Sequence, residues 1–274
     1  MGIIGAVTDV QNAAAPIASL PNLRDLGGRR AADGATVKSG LLFRTADFRG
    51  LTDDDAAKFT GLGIRTVYDL RSAAERTGLP DPDFPGVADI ALDVLADAGT
   101  AIPANLDTVL SDPHLVHEVD EVLGGGKAVE LITGTYRELV TLPSAQAAYR
   151  RFFAGLLGAD ETPAAFHCTT GKDRTGWAAA SVLTLLGVPR DEVFTDYLLT
   201  NERLVPALRP IFDEFAAAGG DPDLLLPVLG VREEYLTAAF DEVDRQYGSI
   251  DAYASVVLGL DASAVAELRS RFLD

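Results

Sequence analysis

The chain has 274 residues, 47% of them hydrophobic and 23% charged, which suits one sizeable α/β domain. A formal net charge of -18 repels nucleic-acid backbones and anionic membranes, so no nucleic acid is expected as a partner. No apolar run is long enough for stable membrane insertion, and the single cysteine excludes an intramolecular disulfide and a cysteine-rich metal site.

The opening MGIIGAVTDVQ lacks a basic stretch and meets Asp9 early. The expected location is therefore the cytoplasm, or export without a cleaved signal. A strand is predicted over 37–44, interrupted by Gly40. Residues 51–63 read as a helix, with Thr52 as cap, Asp53, Asp54 and Asp55 at its positive end, and Gly61 or Gly63 as its stop. IRTVYDL (64–70) reads as a strand, and Ser72 with Glu75 forms a capping box that opens a short helix. Residues 88–95 read as another strand. The stretch 96–127 is acidic, weakly periodic and carries GGG at 124–126, so it reads as a variable insertion.

Helices are predicted over 128–141 and 145–158, the second introduced by Pro143. AAFH (164–167) is a short strand, followed by helices over 174–187 and 190–203. The segment 204–230 is broken by Pro206, Pro210, Gly219, Gly220, Pro222 and Pro227, which predicts short helices with hinges. Residues 231–248 form an amphipathic helix, and two short helices close the chain, the last capped by Asp261. Strands alternating with helices predict a single domain over 1–274 in the α/β class, with a central, largely parallel sheet flanked by helices. Ligands then bind at the carboxyl ends of the strands.

The chemistry is concentrated in His167-Cys168-Thr169-Thr170-Gly171-Lys172-Asp173-Arg174-Thr175-Gly176. A strand enters this stretch and a helix leaves it. The loop from Thr169 through Thr170, Gly171 and Lys172 can turn its backbone N–H groups inward and form an anion cradle with the helix N-terminus. Gly171 permits the tight backbone turn. Cys168 lies at the floor, where the same donors favour a thiolate over the free thiol's pKa of about 8.5. Arg174 on the first helical turn can grip phosphate with its fork, and Thr175 can place a hydroxyl near the sulfur. Arg44, Asp47 and Arg71 lie near strand ends, where either substrate contacts or ion pairs account for them.

This string resembles the His-Cys-x5-Arg-Thr signature of the protein tyrosine phosphatase superfamily. Across most of the chain the segments NLRDLGG (22–28), LLFRTADF (41–48), LGIRTVYDLRSAAE (62–75), TDYLLTN (195–201) and LGVREEYLTAAFDEVDRQYGS (229–249) are similar to the bacterial atypical tyrosine and dual-specificity phosphatases. The resemblance implies a cysteine-phosphatase-like fold with a helical lid in 204–230, and hydrolysis through a phosphocysteine at Cys168 with no metal and no cofactor. Its substrates would be phosphorylated proteins or phosphoinositides. It gives His167 a loop-orienting role.

The general acid has two candidates. Asp173 lies inside the loop, matching the Lys-Asp-Arg form of the resembling family, and Asp69 ends the strand IRTVYDL; Asp173 is favoured. No Trp-Pro-Asp occurs, and the sole tryptophan is Trp177. Lys172 adds positive charge at the cradle's rim and resembles the loops of lipid phosphatases, which implies broad specificity. His114 and His117 sit at helical spacing but lack companions for a metal site. A pseudoenzyme and a sulfurtransferase are the competing readings. The retained Cys168 and Arg174 oppose the first, and the flanking His167 and Thr175-Gly176 oppose the second.

Overall fold

Side-chain alternation along three short strands divides the hydrophobic core between the two faces of one sheet. In the computed structural model, which describes residues 17–98 and 116–274, the strands are β1 (Arg24–Asp25), β2 (Leu42–Thr45), β3 (Thr66–Asp69), β4 (Ala88–Ala91) and β5 (Ala164–His167). Their order is β1-β2-β5-β3-β4, with β1 antiparallel to β2 and the remaining pairs parallel. Phe43, Val67 and Ala165 point to one face, where Phe48, Phe59 and Phe84 cover them. Leu42, Tyr68, Ala164 and Phe166 point to the other and join the main core. The expected α/β architecture, a largely parallel sheet flanked by helices, is what the chain adopts. Thr45, His167 and Asp69 stand side by side at the carboxyl ends of β2, β5 and β3. Everything that follows them in sequence is thereby gathered at one edge.

The helices follow their local signals. α1 (Asp53–Gly61) is capped by Thr52, and α2 (Ala73–Gly78) carries the complete Ser72–Glu75 capping box. α3 (Val116–Leu123), α4 (Lys127–Thr141) and α5 (Pro143–Leu156) precede β5. α6 (Arg174–Leu185) and α7 (Arg190–Leu204) follow it. The segment expected to be broken helices consists of 3₁₀ turns at Val205–Leu208 and Pro222–Leu224 with α8 (Arg209–Ala217) and α9 (Leu226–Leu229) between and after them. Phe215, Leu225 and Val228 of that segment pack on Val119, Leu123 and Ala128 in a cluster separate from the main core. α10 (Glu233–Tyr247), α11 (Ile250–Tyr253) and α12 (Ala262–Phe272) complete the chain. Among the described residues no helix is long and apolar enough to cross a membrane.

Three expectations change; the strand predicted over 88–95 ends at Ala91. The strand predicted over 37–44 begins only at Leu42, because Gly40 adopts φ +81° and breaks the extended chain. Part of the region read as a weakly periodic insertion is helical, as α3 and the first residue of α4. Residues 99–115, with His114, and the opening MGIIGAVTDVQ lie outside the described residues.

A buried ionic knot ties β1, β2 and α7 together. Arg24 Nε and Arg44 Nη1 each lie 2.9 Å from the Asp196 carboxylate, and Arg29 Nη2 lies 2.5 Å from it. Arg24, Arg44 and Asp196 are almost fully enclosed. Burial, then the charge of Arg44, lowers the Arg24 pKa to about 9. Burial alone would raise the Asp196 carboxyl, but the charges of Arg24, Arg29 and Arg44 outweigh it and hold the group well below its ordinary 3.8. Its stabilisation is therefore present above that ordinary value and is lost as pH falls below it. Asp196→Asn leaves the guanidiniums without their counter-charge. Urea denaturation at neutral pH should show a loss of about 3–5 kcal/mol. Between about pH 5 and 2 the wild type should lose stability more steeply than the variant.

Candidate active site

Between the end of β5 at His167 and the start of α6 at Arg174, the backbone carbonyls are drawn outward one after another. Leu70 N donates to the His167 carbonyl at 2.8 Å, and Asp47 N to that of Thr169 at 3.1 Å. His167 Nδ1 donates to the Cys168 carbonyl at 3.1 Å. Asn22 Nδ2 reaches the carbonyls of Thr170 and Gly171 at 3.3 and 2.8 Å. Arg44 Nη2 donates to the Gly171 carbonyl at 2.8 Å, and Tyr149 donates to that of Arg174 at 3.0 Å. With its carbonyls held from behind, the loop turns its N–H groups the other way. None of the N–H groups from Thr169 to Asp173 meets a protein acceptor among the described residues. The result is a concave set of donors over the N-terminus of α6, suited to a tetrahedral oxyanion. Gly171 sits at φ +66°, and a Cβ there would lie 2.1 Å from the Thr45 carbonyl oxygen. Only glycine fits.

Cys168 lies at the base of this loop, 2% exposed. Arg174 reaches over it from the first turn of α6. Its Nη1 and Nη2 both donate to Glu75 at 2.7 Å, an end-on pair that leaves Nε–H without an acceptor among the described residues. Thr169 Oγ1 also donates to Glu75. Burial pushes the Glu75 carboxyl up, but the Arg174 bonds outweigh it and hold the group well below the usual carboxylate range. Burial likewise opposes the charge on Arg174, and the Glu75 bonds more than restore it. Arg174 stays cationic. The Thr175 hydroxyl is buried without a protein partner among the described residues, free to serve an acceptor in the cradle.

For Arg44, open between substrate contact and ion pair, the fold shows the ion pair: it is fully enclosed, and its Nη atoms hold Asp196 and the Gly171 carbonyl. It acts on the loop from behind. Asp69, one candidate acid, is buried against Arg71, whose Nε and Nη2 donate to it at 2.9 and 2.8 Å. Burial raises the Asp69 carboxyl, and the Arg71 hydrogen bonds bring it below its ordinary value. Arg71 also donates to Asp81 at 2.6 Å, and Asp81 in turn lies 2.8 Å from His167 Nε2. Asp69, Asp81 and His167 place ligand-type atoms within 4.8 Å of one another. The Arg71 guanidinium already occupies both carboxylates, so this knot does not suit a metal ion. Asp47, also near the strand end, faces Arg49 and Arg71.

Lys172, expected at the cradle's rim, is 5% exposed. Its Nζ donates to the Gly230 carbonyl at 3.2 Å and lies 3.1 Å from Asp173 Oδ2. Asp173 is the N-cap residue of α6, yet its side chain does not cap the helix. It is half-buried and accepts from Tyr136 at 3.0 Å. Thr169 and Thr170 are half-buried along the loop. Asn22, Glu75, Tyr136 and Tyr149 went unrecognised as parts of this site. The Glu75 signal was visible but was read only as a helix cap, and Asn22 lies inside a segment already singled out by likeness.

Comparison with known proteins places this geometry. A model of the tyrosine phosphatase family matches residues 15–274. The triple specificity protein phosphatase PtpB of Mycobacterium tuberculosis is 34% identical over 279 residues, spanning 92% of this chain and 99% of that protein. A Cupriavidus necator protein provisionally named a tyrosine-protein phosphatase is 30% identical over 93% of this chain and 86% of its own length. A tyrosine-protein phosphatase of Nostoc commune is 27% identical over 60% of this chain and 49% of that protein.

Gly171→Ala tests the loop geometry directly. The added methyl collides with the Thr45 carbonyl at a left-handed backbone position. Binding of orthovanadate, followed by calorimetry, should weaken by at least about tenfold, equivalent to ~1.4 kcal/mol, while far-ultraviolet circular dichroism stays unchanged.

Proposed function

The chain belongs to the tyrosine phosphatase family, and from that premise we propose that it hydrolyses phosphate monoesters in two displacements at Cys168, without a metal. The outward tethering of the loop carbonyls carries this reading, because it leaves an anion cradle with a sulfur at its base and a guanidinium above. The Cys168 thiolate attacks phosphorus in line as the bond to the leaving oxygen breaks. Arg174 through Nε–H, the N–H groups of Thr169, Thr170, Gly171 and Lys172, and the Thr175 hydroxyl bind the equatorial oxygens. Asp173 delivers a proton to the leaving oxygen. Water then attacks the phosphocysteine, giving its proton to Asp173, and the phosphorus–sulfur bond breaks to regenerate the thiolate. Asp173 is preferred to Asp69 because it borders the cradle, whereas Asp69 is closed behind Arg71. His167, tethered to Asp81 and to a backbone carbonyl, orients the loop.

The relevant first experiment follows turnover of a phosphotyrosine peptide, a phosphoserine peptide and phosphoinositides in EDTA. The wild type should turn over phosphotyrosine, and Cys168→Ser should lose all activity while still binding phosphate. A wild type that binds phosphate but turns over none of these substrates would move the protein to a phosphate-binding role.

We further propose dual action on phosphoserine and phosphothreonine, with phosphoinositides as a third class. The name of the mycobacterial relative supports this breadth, as does a lysine inside the loop. The Lys172 ammonium is tied to Gly230, at the end of the segment 204–230 proposed as a lid over Cys168. An inositol phosphate gains Lys172 once that segment lifts. Lys172→Ala should lower phosphoinositide turnover by about tenfold, one lost charged hydrogen bond, and phosphotyrosine turnover by less than about threefold. It should also speed inactivation of Cys168 by peroxide. Equal turnover ratios and an unchanged inactivation rate would remove both roles.

A further inference from the structure

Two buried phenols end on the loop carboxylate. Tyr136 on α4 and Tyr197 on α7 are 0% and 1% exposed, and their hydroxyl oxygens lie 2.6 Å apart. Tyr136 also lies 3.0 Å from Asp173 Oδ1. A carboxylate oxygen can only accept, so the single Tyr136 proton goes to Asp173. The Tyr197 proton must then go to the Tyr136 oxygen. The hydrogen-bond chain has one direction, from Tyr197 through Tyr136 to Asp173. Burial, then the charge of Asp173, pushes the Tyr136 phenol far above its ordinary range, so it remains a donor. Asp173 occupies a helix N-cap position without capping the helix, so its carboxylate is turned from the usual local partner toward these phenols.

We propose that Tyr136, backed by Tyr197, is the positioning residue for Asp173, fixing Oδ1 while Oδ2, which lies 3.1 Å from Lys172 Nζ, serves the leaving oxygen. This rests on Asp173 being the general acid. Tyr136 touches no substrate and acts only through that carboxylate. Two phenols that merely satisfied each other inside the core would not affect one class of leaving group over another.

The test measures kcat/KM, which reads the first displacement and not the later hydrolysis common to all substrates, for phenyl phosphate, whose leaving oxygen needs a proton, and for a dinitrophenyl phosphate, whose leaving oxygen does not. Wild type, Asp173→Asn, Tyr136→Phe and the double variant are compared. Asp173→Asn should fall about a hundredfold with phenyl phosphate and hardly at all with the dinitrophenyl ester. Tyr136→Phe should show the same selectivity at about tenfold, the loss of one charge-assisted hydrogen bond. The double variant should be no slower than Asp173→Asn. A Tyr136→Phe enzyme slowed equally on both esters, or on neither, overturns the proposal while leaving Asp173 as the acid. An Asp173→Asn enzyme without leaving-group selectivity overturns both. If Tyr136→Phe does not fold, Tyr197→Phe decides in its place: a selective loss of about threefold supports the chain, and an unselective loss overturns it.

Discussion

The site depends first on where one backbone oxygen points. The Gly171 carbonyl accepts from Arg44 and Asn22, each at 2.8 Å, on the side away from the cradle. A peptide group is rigid, so fixing its carbonyl outward fixes the N–H of the next residue inward. The same constraint repeats at His167, Cys168 and Thr169, held by Leu70, His167 and Asp47, and at Thr170, held again by Asn22. The partners come from β2 and just after it, from just after β3, from the end of β5 and from the approach to β1. The parallel register that aligns Thr45, His167 and Asp69 delivers them to one edge. Sheet topology thus becomes donor geometry.

Arg44 in turn is held by Asp196, which it shares with Arg24 and Arg29. These charges sum to a positive excess enclosed just behind the loop. That answers a difficulty posed by the chain as a whole, whose net charge is -18. A strongly acidic surface repels a dianion at long range, while salt confines that repulsion to about 10 Å. Close in, the enclosed guanidiniums, Arg174 and the loop N–H groups prevail, because charges act more strongly in a low dielectric. Glu75 offsets part of this field, yet its end-on grip holds the Arg174 plane and leaves Nε–H directed elsewhere.

The loop itself was legible in the sequence because its geometry is local. AAFH forms a strand as predicted, Arg174 opens a helix, and Gly171 takes the positive φ its position demanded. The capping box at Ser72 and Glu75 was legible for the same reason. Contacts made across the fold were not. Asn22 meets Gly171 at a separation of 149 residues, and Glu75 meets Arg174 at 99. Nothing in the spacing of either residue announces its partner. Sequence leaves Arg44 open between substrate and ion pair, because a strand-end arginine looks the same whether it faces substrate or the back of a loop; in the fold it pairs with Asp196. The burial of Lys172 was not legible, because it depends on Gly230, at the end of a segment whose docking no local pattern records. The strand expected over 37–44 is shorter because Gly40, read as an interruption within it, is where the backbone turns.

The most direct test of a phosphocysteine pathway is the stereochemistry at phosphorus. An aryl phosphate made chiral with oxygen isotopes would be turned over in an alcohol–water mixture, and the configuration of the transferred phosphate determined. Attack by Cys168 followed by attack from the acceptor inverts phosphorus twice, so net retention is expected. Net inversion would mean a single direct displacement, and Cys168 would no longer be the nucleophile.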